Sequence, residues 1–211
     1  MYNFLFILDI EKHTLCRGAK YCQSLLTWSY ETKGDHIFYD GSSIKHSLEI
    51  GEKDDLDSEH VCSMIFTTSP IPMNTHRYYF EVSIKDEGES KQIAIGMTNA
   101  SPEYRNFHFP GCNSGTIGYH GNGKIYNGRE ESLFKEEGFG TGDTIGCMYI
   151  HEKDEDGSLF ICHFTRNGKY IKTMQTLQKG RYYPSVAIAS PGAEVTTNMG
   201  EKKFLYNLPG K

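Results

Sequence analysis

Three stretches of the sequence carry residue types that could do chemistry, and each departs from the motif that it approaches. Residues 118–124 (GYHGNGK) begin like a phosphate-binding loop of the form GxxxxGK, but Ile125 stands where that motif needs Ser or Thr to reach magnesium. Residues 152–157 (EKDEDG) resemble the start of a calcium loop, whose twelfth position holds His163 instead of a bidentate Glu. Ser114 lies in GCNSG, which is not the G-x-S-x-G elbow of a hydrolase. We read all three as turns between strands.

The histidines and cysteines also lack the spacing of a metal or catalytic site. Nine histidines are dispersed without an i, i+4 pair, and we interpret His120 and His163 as strand or turn residues. The group His13, Cys16 and Cys22 matches no zinc module, and no second ligand pair follows it. The sequence therefore predicts no catalytic residue, no metal and no cofactor, which is the pattern of a protein that is not an enzyme.

Length and composition favour one reduced, strand-rich domain. The 211 residues contain no linker, internal repeat or low-complexity tract, and 14 Tyr, 12 Phe and 22 Gly favour strands and tight turns over helices. The net charge, 22 − 27 = −5, comes without a long basic run, which argues against nucleic acid or an anionic membrane as the main partner. We expect the six scattered cysteines to be reduced and mostly buried, with a disulfide framework as the less favoured alternative.

The first 27 residues are the least informative part of the chain. Residues 1–9 are apolar but lack a basic n-region and run straight into acidic positions. We interpret them as a packed strand or the start of a helix, with a cleaved signal peptide as the alternative. The predicted domain organisation is an N-terminal extension over residues 1–27, packed on one domain over residues 28–211.

The strand pattern is clearest in residues 78–84, which organise the rest of the chain. Apolar side chains such as Phe80 and Val82 alternate there with Glu81 and Ser83, and this period of two predicts a half-buried strand. A second strand follows over residues 93–97 after the charged, glycine-containing loop 85–91, so we expect the two to form a hairpin. Gly96 in that second strand indicates close approach of a neighbouring backbone.

About a dozen such strands, with frequent turns and no convincing long helix, predict an all-β fold. The architecture that this pattern favours is an antiparallel β-sandwich of two sheets. Asn167-Gly168 is the strongest hairpin signal, of the kind that forms a type I′ turn. We expect six side chains to be buried between the sheets: Val82, Ile95, Ile145, Cys147, Phe164 and Val186.

Seven blocks, in order and spacing, resemble the SPRY domain, and most of all the type found in Ran-binding protein M. They are residues 70–72 (PIP), 78–82 (YYFEV), 95–96 (IG), 118–120 (GYH), 141–147 (TGDTIGC), 164–168 (FTRNG) and 183–186 (YPSV). The resemblance covers roughly residues 28–206, and Trp28 also matches the family's first segment. It implies a bent sandwich that acts as a non-catalytic, adaptor-like protein-interaction module.

In SPRY relatives that carry a SOCS box, peptides bind to loops at one end of the sandwich. By the order of blocks, the resemblance assigns partner binding here to Asp40, Gly41, Ser42, Tyr104, Arg105, Phe107, His108, Ala189, Ser190 and Pro191. The arginine and tryptophan that grip peptide in those relatives are not obvious in this sequence, so the identity of the ligand does not carry over. An alternative is that Tyr104, Phe107 and Phe109 cap the open end of the core instead.

The expected partner is a protein or peptide ligand, with a ubiquitin-ligase or signalling component among the candidates. We expect no nucleic acid and no membrane as partner, a monomer, and a cytoplasmic protein that can also be nuclear. We find no pattern of the LisH, CTLH or SOCS-box segments that accompany SPRY domains in relatives, so a ligase role would need a separate subunit. The alternative function is a secreted SPRY-type effector of a parasite or symbiont that binds host proteins.

Overall fold

The fold is a sandwich of two antiparallel sheets. The computed structural model describes residues 26–47, 62–99, 105–106, 108–128, 130–135, 137–154, 157–176 and 180–208. Within these ranges the chain forms thirteen strands and a short 3-10 turn at Tyr30–Thr32. This confirms the predicted all-β class. Of the predicted extension over residues 1–27, all but the last two residues lie outside the described ranges.

The strands divide into a seven-stranded and a six-stranded sheet. In spatial order, the seven-stranded sheet contains β1 (Ile37–Tyr39), β2 (Ser43–His46), β13 (Glu194–Asn198), β4 (Arg77–Asp86), β9 (Thr144–Asp154), β10 (Gly157–Arg166) and β11 (Lys169–Thr176). The six-stranded sheet contains β3 (Ser63–Phe66), β12 (Tyr183–Ile188), β5 (Ile93–Thr98), β6 (Ile117–His120), β7 (Lys124–Asn127) and β8 (Glu130–Lys135).

The core lies between the two sheets and follows the alternation read from the sequence. Phe80 and Val82 on β4 point inward and are fully buried, because β4 is the central strand of its sheet. The prediction of six core residues is confirmed, since each has an exposed fraction of 0%: Val82, Ile95, Ile145, Cys147, Phe164 and Val186. A Cβ on Gly96 would lie 1.9 Å from the carbonyl oxygen of Ile117, so the predicted close approach is also confirmed.

The predicted hairpin between residues 78–84 and 93–97 is wrong. Strand β4 pairs with β13 and β9, whereas β5 pairs with β12 and β6 in the other sheet. The charged loop between them therefore crosses from one sheet to the other. A polar loop with a glycine indicates that the chain turns. A hairpin within one sheet and a crossing between two sheets both need such a turn, so the loop does not determine in which sheet the next strand lies.

The outer face of β4 is more buried than its polar side chains predict. Tyr79 is 3% exposed and Glu81 is 4% exposed, because residues 199–208, the covering segment, fold across this face. The Glu81 carboxylate accepts hydrogen bonds from the backbone N–H groups of Leu205 (2.9 Å) and Tyr206 (3.1 Å). It also accepts one from the Tyr79 hydroxyl at 3.0 Å. The cost of burying this carboxylate is thus offset by hydrogen bonds from several donors.

The turn signals have the predicted geometry. Asn167 and Gly168 both have positive φ, 51° and 73°, as a type I′ turn between β10 and β11 requires. Asn167 also donates to Asp143, which pairs with the guanidinium of Arg166 at 3.0 Å. Residues of two predicted blocks, 141–147 and 164–168, therefore hold each other in place.

The described cysteines are free thiols. Cys62, Cys147 and Cys162 are buried, and Cys112 is partly buried. The Sγ atoms of Cys147 and Cys162 lie 3.3 Å apart across the β9–β10 pair, within hydrogen-bond distance and without a disulfide bond. Cys16 and Cys22 lie outside the described residues.

The sandwich core makes a quantitative prediction for Phe164. We expect Phe164→Ala to lower the free energy of unfolding by about 3–5 kcal/mol, because the change removes buried surface and leaves a cavity beside Tyr119. Urea denaturation followed by tryptophan fluorescence measures this. The matched control is Phe38→Ala, since Phe38 is 54% exposed on edge strand β1. Equal effects of the two variants would contradict the assignment of Phe164 to the core.

Candidate functional site

The turn at Asp40, Gly41 and Ser42 closes the β1–β2 hairpin. The Asp40 carboxylate accepts hydrogen bonds from the backbone N–H groups of Ser43 (2.7 Å) and Ser42 (2.8 Å), and from the Ser42 hydroxyl (2.7 Å). These bonds, that of the Ser43 N–H first, hold the pKa of Asp40 well below its usual value. Gly41 has a φ of 91°, which only glycine adopts without strain. The polar groups of Asp40 are thus used to form the turn.

Ala189, Ser190 and Pro191 begin the connection from β12 to β13. The Ser190 hydroxyl donates to the carbonyl oxygen of Glu87 and accepts from the N–H groups of Ser90 and Lys91. Its exposed fraction is 0%, so it joins this connection to the loop between β4 and β5. Pro191 is partly exposed at the surface of the same connection.

Arg105 and His108 lie beside the edge strand β3. The carbonyl oxygen of Arg105 accepts a hydrogen bond from Met64 N (2.7 Å), and that of His108 accepts one from the Cys62 thiol (3.4 Å). The Arg105 side chain is partly buried, and its Nε has no hydrogen-bond partner among the described residues. Tyr104 and Phe107 lie outside the described residues.

The structure brings two of the three predicted loops to one end of the sandwich. Asn106 bridges to Ser63, the residue that pairs with Ile188 at the end of β12, so the Arg105 loop and the Ser190 loop share that end. The Asp40 turn lies at the opposite end of the short β1–β2 hairpin from His46, whose N–H bonds to Ala193 O. Asp40, Gly41 and Ser42 are therefore separate from the other predicted residues.

Next to the shared end is a cavity of about 650 Å³. Phe109, His120 and Tyr126 line it with aromatic rings, and Ser90 and Lys91 line it with polar groups. We call it the Phe109 cavity. Phe109 packs on Cys62, Met64, Ala187 and Ala189. These residues form the outer face of the six-stranded sheet, so Phe109 does not cap the space between the sheets.

His120 is one of the titratable groups that line this cavity. Burial lowers its pKa to about 4, although the bond from its Nε2 to the carbonyl oxygen of Pro110 (2.9 Å) acts in the opposite direction. Its ring centroid lies 4.6 Å from that of Tyr126 and 5.4 Å from that of Phe109. Sequence reasoning missed this cluster, because its members come from a loop and two strands.

The motifs that approached known chemistry have structural roles. Residues 118–124 form the end of β6, a turn and the start of β7, so no helix follows them as a phosphate loop would need. Among the described residues, no group of three or more His, Cys, Asp or Glu could hold a metal ion. In the same ranges no helix is long and apolar enough to cross a membrane.

Comparison with known proteins identifies the family. The family model described as the SPRY domain matches residues 77–202. The chain belongs to the SPRY family. The strands β1 to β3 precede this match and nevertheless pair within the same two sheets.

Relatives of this SPRY domain are found among larger proteins. The chain is 31% identical over 156 residues to the Ran-binding protein M homolog of Arabidopsis thaliana, which covers 72% of this chain and 31% of that protein. It is 29% identical to human SPRY domain-containing protein 3, covering 87% of this chain and 39% of that protein. Among solved structures, a human SPRY domain superposes with a TM-score of 0.62 at 26% identity, covering 80% of this chain and 98% of the other. The chain thus spans less than half the length of these curated relatives.

The partly buried ring of His120 predicts a pH dependence of stability. Its pKa of about 4 lies below the value of 6.5 for an unfolded chain, so the unfolded state binds more protons between these two values. The free energy of unfolding should therefore fall as the pH decreases from about 6.5 to about 4. The loss due to His120 should be at most roughly 3.5 kcal/mol, at about 1.4 kcal/mol per pH unit.

The comparison of wild type with His120→Gln isolates this contribution. Glutamine keeps an N–H donor for Pro110 but does not titrate, so its stability should change less over this pH range. Urea denaturation at intervals of half a pH unit measures the difference between the two slopes. Parallel curves for the two proteins would show that His120 is not buried in its neutral form.

Proposed function

We propose that this SPRY domain is a non-catalytic protein-interaction module that binds a short peptide or protein segment through the loops at one end of the sandwich. The observation that carries the proposal is Arg105, a partly buried cation whose Nε is unpartnered within the described residues. The hydrogen bond from Met64 N to the Arg105 carbonyl oxygen holds the backbone at this position, and in the proposal the terminal N–H groups of the guanidinium form a bidentate pair of bonds with a carboxylate of the ligand.

The surroundings of Arg105 support a peptide ligand. Four residues further along the loop, Phe109 forms a wall of the Phe109 cavity, so an extended segment bound at Arg105 could place an apolar side chain there. Aromatic residues and arginine dominate the binding energy of many interfaces, and loops on a rigid sheet are where binding residues concentrate. Tyr104, Phe107 and His108 are neighbours of Arg105 in sequence, and the proposal includes them in the binding surface.

The Ser190 loop contributes shape more than direct contacts. Because the Ser190 hydroxyl is fully used between Glu87 and Lys91, it holds the backbone of Ala189 and Pro191 against the wall of the cavity that Ser90 and Lys91 form. In this proposal Pro191 and Lys91 are rim contacts. The Asp40 turn takes no part, because it lies at the other end of its hairpin.

The wider role of the protein follows from this module. We infer an adaptor-like protein that works as a monomer in the cytoplasm, and also in the nucleus, with a ubiquitin-ligase or signalling component as partner. The family membership and the Ran-binding protein M homolog among the relatives support this inference. The net charge of −5 supports a protein ligand over nucleic acid or an anionic membrane.

The role of Arg105 is tested with peptides selected on the wild-type domain from a random display library. We expect Arg105→Ala to raise the Kd of a selected peptide by about tenfold or more, which corresponds to roughly 1.4 kcal/mol. Arg105→Lys should recover only part of the affinity, because an ammonium cannot form the planar pair of bonds. Isothermal titration calorimetry measures all three values.

The matched control is Arg181→Ala. Arg181 is exposed before β12, at the end of that strand opposite Ala189, and its loss should leave the Kd unchanged. Neither arginine variant should shift the Tm by more than about 2 °C. Wild-type affinity of Arg105→Ala, or equal losses at Arg105 and Arg181, would refute the proposed surface.

A further inference from the structure

The outer face of the seven-stranded sheet carries a second recess, which we call the hydroxyl groove. Its volume is about 640 Å³. Thr196, Ser83 and Thr144 form its floor and lie directly opposite one another on β13, β4 and β9. The Ser83 and Thr144 hydroxyls are 2.9 Å apart. Hydroxyl groups both donate and accept, so this row can bond to the N–H and C=O groups of an extended backbone.

The walls of the groove combine aromatic and apolar surface. Trp28, which is 6% exposed, lines part of the recess and is fixed by a bond from its Nε1 to the Thr197 hydroxyl (2.8 Å); Tyr39 also lines the recess. The covering segment presents Leu205, whose side chain is 58% exposed. Such a recess offers contact to one or two apolar side chains of a ligand between polar surfaces.

The charge at the mouth of the groove is positive. Lys85, Lys202 and Lys203 line it and are exposed, and none of them has an ion-pair partner among the described residues. The two carboxylates of the lining are already bonded. Glu81 accepts from the covering segment, and Glu201 accepts from Met199 N. Three lysines and two glutamates leave a local charge of +1, in a chain whose net charge is −5.

We propose that the hydroxyl groove is a second binding site, which takes an extended acidic peptide segment. The backbone of the segment bonds to the row of hydroxyls, and its carboxylate or phosphate groups bond to the three lysines with charge-assisted hydrogen bonds. A peptide fits this site because the floor supplies hydroxyl donors and acceptors for its backbone and the mouth supplies positive charge for its acidic groups. The site is independent of Arg105 and of the Phe109 cavity, which lie on the other sheet.

The first experiment uses fluorescein-labelled hexaglutamate as the probe, with fluorescence anisotropy as the measurement. We expect saturable binding that weakens as the salt concentration rises, because the lysines are exposed. Lys85→Glu and the double variant Lys202→Glu/Lys203→Glu should each weaken binding at least tenfold. Lys124→Glu, on β7 of the other sheet, is the matched charge control and should leave the Kd unchanged. Arg105→Ala should also leave it unchanged, so this test is separate from that of the peptide surface at the loops.

The second experiment locates the bound probe on the protein and distinguishes carboxylate groups from phosphate groups as the groups that the site recognises. Amide NMR signals of Ser83, Thr144 and Thr196 should shift on addition of hexaglutamate. A phosphoserine hexapeptide that binds more tightly than hexaglutamate at the same residues would assign the site to phosphorylated segments, within the same proposal. Three results would overturn it: no saturable binding, equal loss in Lys85→Glu and Lys124→Glu, or tighter binding of a uridine hexanucleotide than of hexaglutamate.

Discussion

The structure depends on the burial of β4 on both of its faces. Phe80 and Val82 fill the space between the sheets, whereas Tyr79 and Glu81 lie under the covering segment. Because Glu81 is a carboxylate, this second burial is tolerable only with donors, and the backbone of Leu205 and Tyr206 supplies them. One side chain on the central strand therefore fixes the path of a segment more than 120 residues away in sequence.

The outer face of each sheet is covered by a segment without regular structure. Each candidate site lies next to such a segment. The loop that carries Phe109 packs over the six-stranded sheet and leaves the Phe109 cavity at its side. The covering segment crosses the seven-stranded sheet and leaves the hydroxyl groove. Segments without regular structure cannot match a pleated surface along their whole length, so recesses remain where they end. The two sites differ in chemistry, since the first is mainly aromatic and the second is hydroxylic with lysines at its mouth.

Two aspartates, Asp143 and Asp40, stabilise turns in this fold. Asp143 pairs with Arg166 and accepts from Asn167, and Asp40 accepts from the two serines that follow it. Such local bonds lower the pKa of a carboxylate and use the oxygens that a metal or a substrate would need. In this SPRY domain these carboxylates therefore stabilise turns of the scaffold.

The sequence by itself determined the fold class, the inward face of the central strand and the geometry of the Asn167-Gly168 turn. Alternation and turn residues are local properties, so Val82 and Phe164 could be assigned to the core without coordinates. Only the tertiary structure decided that β4 and β5 belong to different sheets, that Asp40 lies away from Arg105, and that Lys85 meets Lys202 and Lys203 at one groove. These facts depend on pairings between distant strands, and local spacing does not specify which strands pair. The burial of Glu81 has the same origin, because a polar residue in an alternating strand indicates an exposed face unless a distant segment covers it.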